Sequence, residues 1–274
     1  MDRIPIRNPF PGAACWLLPE TDSTMDEARR LAAAGWPEGT VIAADRQTAG
    51  RGRFRDRSWV SEPGRDLTFT LILPGSARGA AGLPLRAGLA LHRAVGDLAR
   101  RTGVGSPPGL ELKWPNDLLV GGRKTAGILC ESSGEGCFLG VGVNCGRPAD
   151  AGFRTEASGL AEELGAPVDR FLLLELFLGR MAEALGEEDW RAEVARRLWL
   201  LGRPARFRTG LAEPGGPGSS VVDGVVAGIG PAGELILETP DGPVGLVSGE
   251  VSPAAFRPPE GHTPQGIDGG RDSR

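Results

Sequence analysis

The chain has 274 residues, of which 24% are charged and 40% hydrophobic, and its formal net charge is −4. Those proportions describe a folded protein long enough for one large domain and a small one. The slight acidity gives no support to a nucleic-acid or membrane-surface role for the molecule as a whole. Residues 1–11 carry Asp2, Arg3, Arg7 and three prolines rather than the apolar run of a secretory signal. The longest apolar stretch, Phe171 to Leu178, is far short of a membrane span. A cytoplasmic location is therefore expected. Cys15, Cys130, Cys137 and Cys145 form no C-x-x-C pair and are expected to be buried and reduced. The two histidines, His92 in an apolar helical stretch and His262 in a polar tail, give no basis for histidine catalysis.

In chain order, Cys15 to Leu18 reads as a short strand. Ser23-Thr24-Met25-Asp26 then reads as a helix start, with a capping Ser and an acid three residues on. Met25, Ala28, Leu31 and Ala32 keep helical spacing up to the breaker Gly35. Thr40 to Ala44 is strand-like, and residues 46–58 are polar and rich in Gly and Arg. Leu67, Phe69, Leu71 and Leu73 alternate with Thr68, Thr70 and Ile72, which predicts a strand. Leu85, Leu89, His92, Gly96 and Ala99 share one face of a helix over Leu83 to Arg101. Strands follow at Leu110–Trp114, Asp117–Val120 and Lys124–Glu131, the last two joined by a Gly121-Gly122 hairpin whose positions need positive φ. Cys137–Val143 comes after a Ser-Gly-Glu-Gly turn. Asp169–Leu185 and Glu188–Leu201 read as amphipathic helices. Beyond Gly202 the period changes to two, with strands at Val221–Ile229, Glu234–Glu238 and Val244–Val247 that predict a small all-β barrel. Residues 258–274 have little to bury, so a disordered tail is expected.

Two segments carry chemistry. Gln47-Thr48-Ala49-Gly50-Arg51-Gly52-Arg53, running on to Trp59, combines glycines whose amides can face an anion with planar guanidinium donors. Taken alone it more often reads as a solvated basic loop or an arginine-rich nucleic-acid contact, and no P-loop occurs. Lys113-Trp114-Pro115-Asn116-Asp117 sets a cation, an aromatic plane, an amide and a carboxylate around a proline turn, with Lys124 and Gly127 on the next strand. Together the two segments supply what nucleotide activation of a carboxylate requires: cations against a triphosphate and a carboxylate toward Mg²⁺, with no protonating group needed.

In order and spacing these residues resemble the biotin–protein ligases. Ser23-Thr24, Lys124-Thr125-Ala126-Gly127, Gly142-Val143-Asn144 and the C-terminal run to Gly249-Glu250-Val251-Ser252 extend the likeness over about residues 14 to 255. The resemblance implies an α/β catalytic domain (1–202) of the class II synthetase-like kind, a mixed, largely antiparallel sheet with flanking helices. A small Src-homology-type β-barrel (203–256) and the tail (257–274) would follow. It implies a ligase that forms biotinyl-5′-AMP from biotin and ATP and transfers biotin to a lysine of a carboxyl carrier domain.

Under that likeness Ser23, Thr24, Met25 and Gln47 would hold biotin. Arg51, Gly52 and Arg53 would close over its activated carboxylate, and Lys124, beside Gly127, would bridge carboxylate and α-phosphate. Asn116 and Asp117 would orient phosphates, Mg²⁺ or the amine, and Trp59 and Asn144 would take the adenine, Trp59 being alternatively a hydrophobic loop anchor. Lys124, Arg53 and Asp117 form the implied catalytic set. The family's usual Asn after Ser-Thr is Met25 here, which leaves only a backbone contact at that position. The loop also has Phe54-Arg55-Asp56-Arg57 where the family has a Gly, with one extra residue. Implied partners are biotin, ATP and the carrier domain, with no nucleic acid and no membrane; monomer and homodimer stay open. The nearest alternative is a lipoate or octanoate ligase of the same fold, whose Arg-Arg-x-Ser-Gly-Gly-Gly-type loop is missing. A DNA-binding repressor would need a module for which about a dozen leading residues are too few, and an adaptor built on the barrel would not need the gathered cations.

Overall fold

The structure is a computed structural model that describes residues 1–54, 58–77, 79–134, 136–147, 157–208 and 220–254. Eight strands form the larger sheet: β1 (Asp2–Ile4), β2 (Cys15–Thr21), β3 (Val41–Gln47), β4 (Leu67–Leu73), β5 (Leu110–Lys113), β6 (Asp117–Val120), β7 (Arg123–Ser133) and β8 (Gly136–Val143). Their spatial order is β1-β2-β3-β4-β8-β7-β6-β5. All neighbours are antiparallel except β2 and β3, which helix α1 (Thr24–Ala33) joins as a parallel crossover. Ser23 caps α1, its Oγ accepting from the Met25 amide at 3.2 Å, and Asp26 and Glu27 favour the positive end of the helix.

The central strand β4 is buried on both faces, and its alternation sorts two chemistries. Leu67, Phe69, Leu71 and Leu73 face the main core with helices α2 (Leu83–Arg101) and α4 (Arg170–Gly186). Ile72, on the other face, joins Met25, Ala28, Ile42 and Phe138 beneath α1. α1 covers only part of that second face, and Thr68 and Thr70 border a cavity beside it. Two further helices are short, α3 (Leu160–Leu164) and α5 (Trp190–Ala195).

The predicted helix over 188–201 is thus only the six residues of α5. Residues 197–199 leave the helical path because their backbone pairs with the sheet edge: the Leu112 amide donates to Arg197 O at 2.8 Å and the Trp199 amide to Leu112 O at 2.9 Å. Edge pairing outbids the amphipathic period there. The Gly121-Gly122 hairpin is as expected, with φ of 56° and 77°.

The second sheet has five antiparallel strands, β9 (Pro204–Arg208), β10 (Val221–Ile229), β11 (Leu235–Thr239), β12 (Gly242–Leu246) and β13 (Glu250–Pro253), ordered β12-β11-β10-β9-β13. Among the described residues it is not a closed barrel. Its edges β12 and β13 do not pair, and each carries a proline, Pro243 and Pro253, with no N–H to extend a ladder. The extra loop residue within 55–57, the middle of the Ser-Gly-Glu-Gly turn and the tail from 257 lie outside the described residues.

Candidate active site

A cavity of about 360 Å³ opens on the α1 face of the larger sheet. Its floor follows from register. Directly opposed antiparallel partners share a face, and the row Asp117↔Gly127↔Gly142↔Thr68 runs across β6, β7, β8 and β4. The next row is Leu129↔Gly140↔Thr70. Small residues at 127, 140 and 142 leave room above the pleat. Trp59 fills part of it over Gly127 and Gly142, while the Met25 Cε lies over Gly140.

Lys124 reaches the same face through a fault in the ladder. Strict alternation from Gly127 would put residue 124 on the opposite face, but the β6–β7 register shifts between Leu118 and Leu119. That β-bulge leaves Thr125 without a partner strand residue and re-aims Lys124 toward the cavity. Its Nζ sits 2.7 Å from Asp117 Oδ1 and 5.9 Å from the centre of the Trp59 ring.

At the other end, the start of α1 meets the end of β3. The Thr24 amide donates to Gln47 Oε1 at 2.8 Å, the Thr24 hydroxyl lies 3.1 Å from the same oxygen, and it also meets Thr70 Oγ1 at 2.9 Å. Ser23 and Thr24 are buried there. This is a short run of hydroxyl and amide groups, able to both donate and accept, at the end of a pocket whose far side is cationic. Among the described residues, Arg51, Arg53, Lys113 and Lys124 border the cavity with the carboxylates Asp117 and Glu250; Arg51 is paired with Asp26, which leaves a surplus of one positive charge. The surplus suits an anionic ligand.

The Arg-Gly loop closes on itself. Arg51 and Ser58 form an antiparallel bridge and the Trp59 amide donates to Gly50 O at 2.9 Å. Arg53 reaches across to the second sheet, its Nη2 donating to Gly249 O at 2.6 Å while its guanidinium rests 4.4 Å from the Phe54 ring centre. Trp114 makes a similar crossing: its Nε1 donates to Gly233 O at 2.9 Å and its ring lies 5.6 Å from Phe207. Trp114 is therefore core as well as cavity wall.

Every residue expected at the site and lying among the described residues borders this one cavity, including Lys124 and Arg53 from distant stretches. Three of these side chains are held by contacts within the protein. The Arg51 guanidinium is committed to Asp26. The Asn116 amide nitrogen is committed to Ile128 O at 2.7 Å. The Met25 side chain belongs to the small core under α1. Asn144 is buried, its amide nitrogen 3.5 Å from Ser158 O. Two contributors have no signature in the sequence. Thr70 looked like one residue of an alternating strand. Asp66, buried, accepts from the Glu62 amide at 2.9 Å and the Cys145 amide at 3.1 Å, so it ties the segment after Trp59 to the end of β8 that carries Asn144. Burial raises the Asp66 carboxyl above its ordinary pKa and pushes the neighbouring Cys145 thiol up to about 12. All four cysteines are free. His92 does not border the cavity; its Nε2 lies 3.1 Å from Leu110 O.

The Biotin/lipoate A/B protein ligase family matches residues 17–147. The chain is 37% identical over 258 residues to the biotin–[acetyl-CoA-carboxylase] ligase of Paracoccus denitrificans, covering 86% of this chain and 98% of that one. It is 30% identical to the bifunctional ligase/repressor BirA of Bacillus subtilis, over 84% of this chain and 70% of that one. The fold aligns with the biotin protein ligase from Aquifex aeolicus in complex with biotin and ATP at a TM-score of 0.71 and 28% identity, covering 87% and 97% of the two chains. The chain belongs to the biotin/lipoate protein ligase family. Within it, the chain falls with the biotin–protein ligases.

Proposed function

We propose that this chain activates biotin with ATP and passes it to a carrier lysine. In the first step a carboxylate oxygen of biotin bonds to the α-phosphorus of ATP, the bond from that phosphorus to the β-phosphate bridge breaks, and pyrophosphate leaves. In the second, the ε-amine of a lysine on a biotin carboxyl carrier domain attacks the acyl carbon. AMP departs with the bonding pair, and the amine loses a proton. The carrying observation is the convergence of Lys124 and Arg53 on one cavity whose other end is lined by Thr24, Gln47 and Thr70. Cations there offset the repulsion between carboxylate and triphosphate, a fixed electrostatic contribution to the transition state.

Position supports the following proposed roles. Thr24 and Gln47, with Ser23 beside them, suit the flat ureido ring of biotin, which needs donors and acceptors together; Met25 contributes packing instead. Lys124 suits the space between carboxylate and α-phosphate, with Gly127 leaving that space open. Gly52 and Arg53 form the lid over it. Trp59 and Asn144 suit the adenine, and Asn116 stiffens the turn that carries Asp117. Asp117 is one carboxylate beside a cationic surplus, which fits a Mg²⁺ carried in by the triphosphate rather than held in a protein cage. Mg²⁺ would supply neutralisation of phosphate charge; Asp117 would hold it, or help take the proton of the incoming amine.

The acceptor reading rests on the name of the Paracoccus relative, whose substrate is an acetyl-CoA carboxylase. The division into a catalytic domain to about residue 202 and a small domain over 203–256 is supported by the two separate sheets. A cytoplasmic setting agrees with free cysteines, and no helix among the described residues is long and apolar enough to cross a membrane. The test is incubation with biotin, MgATP and a carrier domain, followed by mass spectrometry of the carrier. A gain of one biotinyl group at a single lysine is expected, and an unmodified carrier refutes the proposal. Calorimetric titration with biotin against lipoate separates the alternative acyl substrate.

A further inference from the structure

Arg51 borders the cavity, yet its guanidinium is bound from outside by helix α1. Its Nη1 donates to Asp26 Oδ2 at 2.5 Å and its Nη2 to Asp26 Oδ1 at 2.8 Å, a bidentate pair. Arg29, one turn along the same helix, donates to that carboxylate at 2.7 Å and also pairs with Glu131 of β7. Glu131 in turn lies 4.0 Å from Arg51. Two arginines and two acids thus cancel in charge. The four side chains are between 28% and 41% exposed, too wet for a large energy but too enclosed for full screening. Asp26 is held below the ordinary carboxylate range, first by the Arg51 hydrogen bonds, so it is ionised at neutral pH.

The placement matters because the Arg-Gly loop has another tie, from Arg53 to Gly249 on the opposite flank. Arg51 also bridges to Ser58, the residue before Trp59. Asp26 also sits in the same helical turn as Thr24 at the biotin end of the cavity. We infer that Asp26 is a positioning residue for the loop: it clasps Arg51 to α1 and thereby holds the lid over bound biotinyl-adenylate. This inference rests on the ligase reading. It gives Arg51 an anchoring role and leaves Arg53 and Lys124 as the cations that meet the reacting groups.

The full chain would be given biotin, MgATP and a bystander protein with surface lysines but no carrier domain. Biotin on the bystander reports adenylate that has escaped. Asp26→Ala is expected to raise escape about three- to tenfold, the size of one partly exposed bidentate pair. Single-turnover pyrophosphate release should change by less than about twofold, because Lys124 is untouched. Asp26→Glu should restore retention to within about twofold of the parent, and Asp26→Ala combined with Arg51→Ala should leak no more than either alone. Escape from Asp26→Ala within about twofold of the parent, or a Glu variant as leaky as the Ala one, overturns the clasp. Should Asp26→Ala not fold, Glu131→Gln tests the network from its far end: a rise of about two- to threefold supports the clasp and no rise overturns it. A parent chain that makes no adenylate at all overturns the ligase reading, an outcome distinct from a parent that works and a variant that does not leak.

Discussion

Gly142→Ala is the smallest change that tests the cavity floor. Gly142 lies in β8 with ordinary extended backbone, so alanine brings no conformational strain, only a methyl group. That carbon would stand 2.5 Å from Cζ2 and 2.7 Å from Nε1 of the Trp59 indole. Ordinary carbon contacts are about 3.5–4.0 Å, so the ring must retreat by about 1 Å. The buried Trp59 Nε1 has no hydrogen-bond partner among the described residues, so the retreat breaks no indole hydrogen bond among them. Overpacking of this size costs about 1–3 kcal/mol. If Trp59 forms the adenine platform, most of that cost falls on nucleotide binding, and KM for ATP should rise roughly tenfold, about 1.4 kcal/mol. Affinity for biotin alone, set at the Thr24–Gln47 end, should move far less. Gly127→Ala offers a graded control, because its methyl would meet Trp59 and Lys124 no closer than 3.2 Å. The assay is pyrophosphate release against ATP concentration, with calorimetry for biotin. An unchanged KM for ATP in a folded Gly142→Ala protein would refute the platform. So would a double variant with Trp59→Ala whose losses simply add, since the methyl has nothing to displace once the indole is gone.

Lys124→Ala should lower adenylate formation by roughly 100- to 1000-fold, as loss of a preorganised charge at the reacting phosphate does. Biotin-dependent exchange of pyrophosphate into ATP measures it, and a near-normal rate removes Lys124 from the chemistry. Trp114→Phe should cost about 1–2 kcal/mol in urea unfolding, because Gly233 O loses the indole donor at 2.9 Å while most of the ring packing on Phe207 is kept. An unchanged midpoint would show that the crossing bond carries no stability. His92 is held neutral by burial, its pKa lowered from 6.5 to about 4. The folded state therefore disfavours the proton, and the stability present above pH 6.5 is lost as pH falls toward 4. That loss is about 2 kcal/mol after allowing for partial exposure of the ring. Urea unfolding from pH 7 to 4 should show that loss shrink in His92→Gln, and an equal loss in both proteins would refute it.

Where local pattern and tertiary demand agree, the elements were legible from the residues. Strand β4 and helix α2 fall at the boundaries their periodicity predicts, and Ser23 caps the helix it was expected to cap. The helix over 188–201 was over-extended because an amphipathic period cannot register that Leu198 pairs beside Leu112. β1, β9 and β13 are not foreshadowed because each sets only one or two buried residues among charged or exposed ones, too weak a pattern to separate from turns. The site shows the same division. Motif residues such as Lys124, Asp117 and Gln47 stand out by type and spacing. Asp26 looked like a helix-start acid and Thr70 like strand filler, since their importance comes from neighbours 25 and 46 residues away in sequence. The bulge that turns Lys124 inward is a matter of register, to which composition is blind.

Two polar ties from the cavity wall to the small sheet, from Arg53 and from Trp114, end on peptide oxygens, those of Gly249 and Gly233. A peptide oxygen is present whatever residue supplies it. The outward side chains of that sheet take no part in these two contacts, so they are at liberty to diverge while the backbone path through those two positions is preserved.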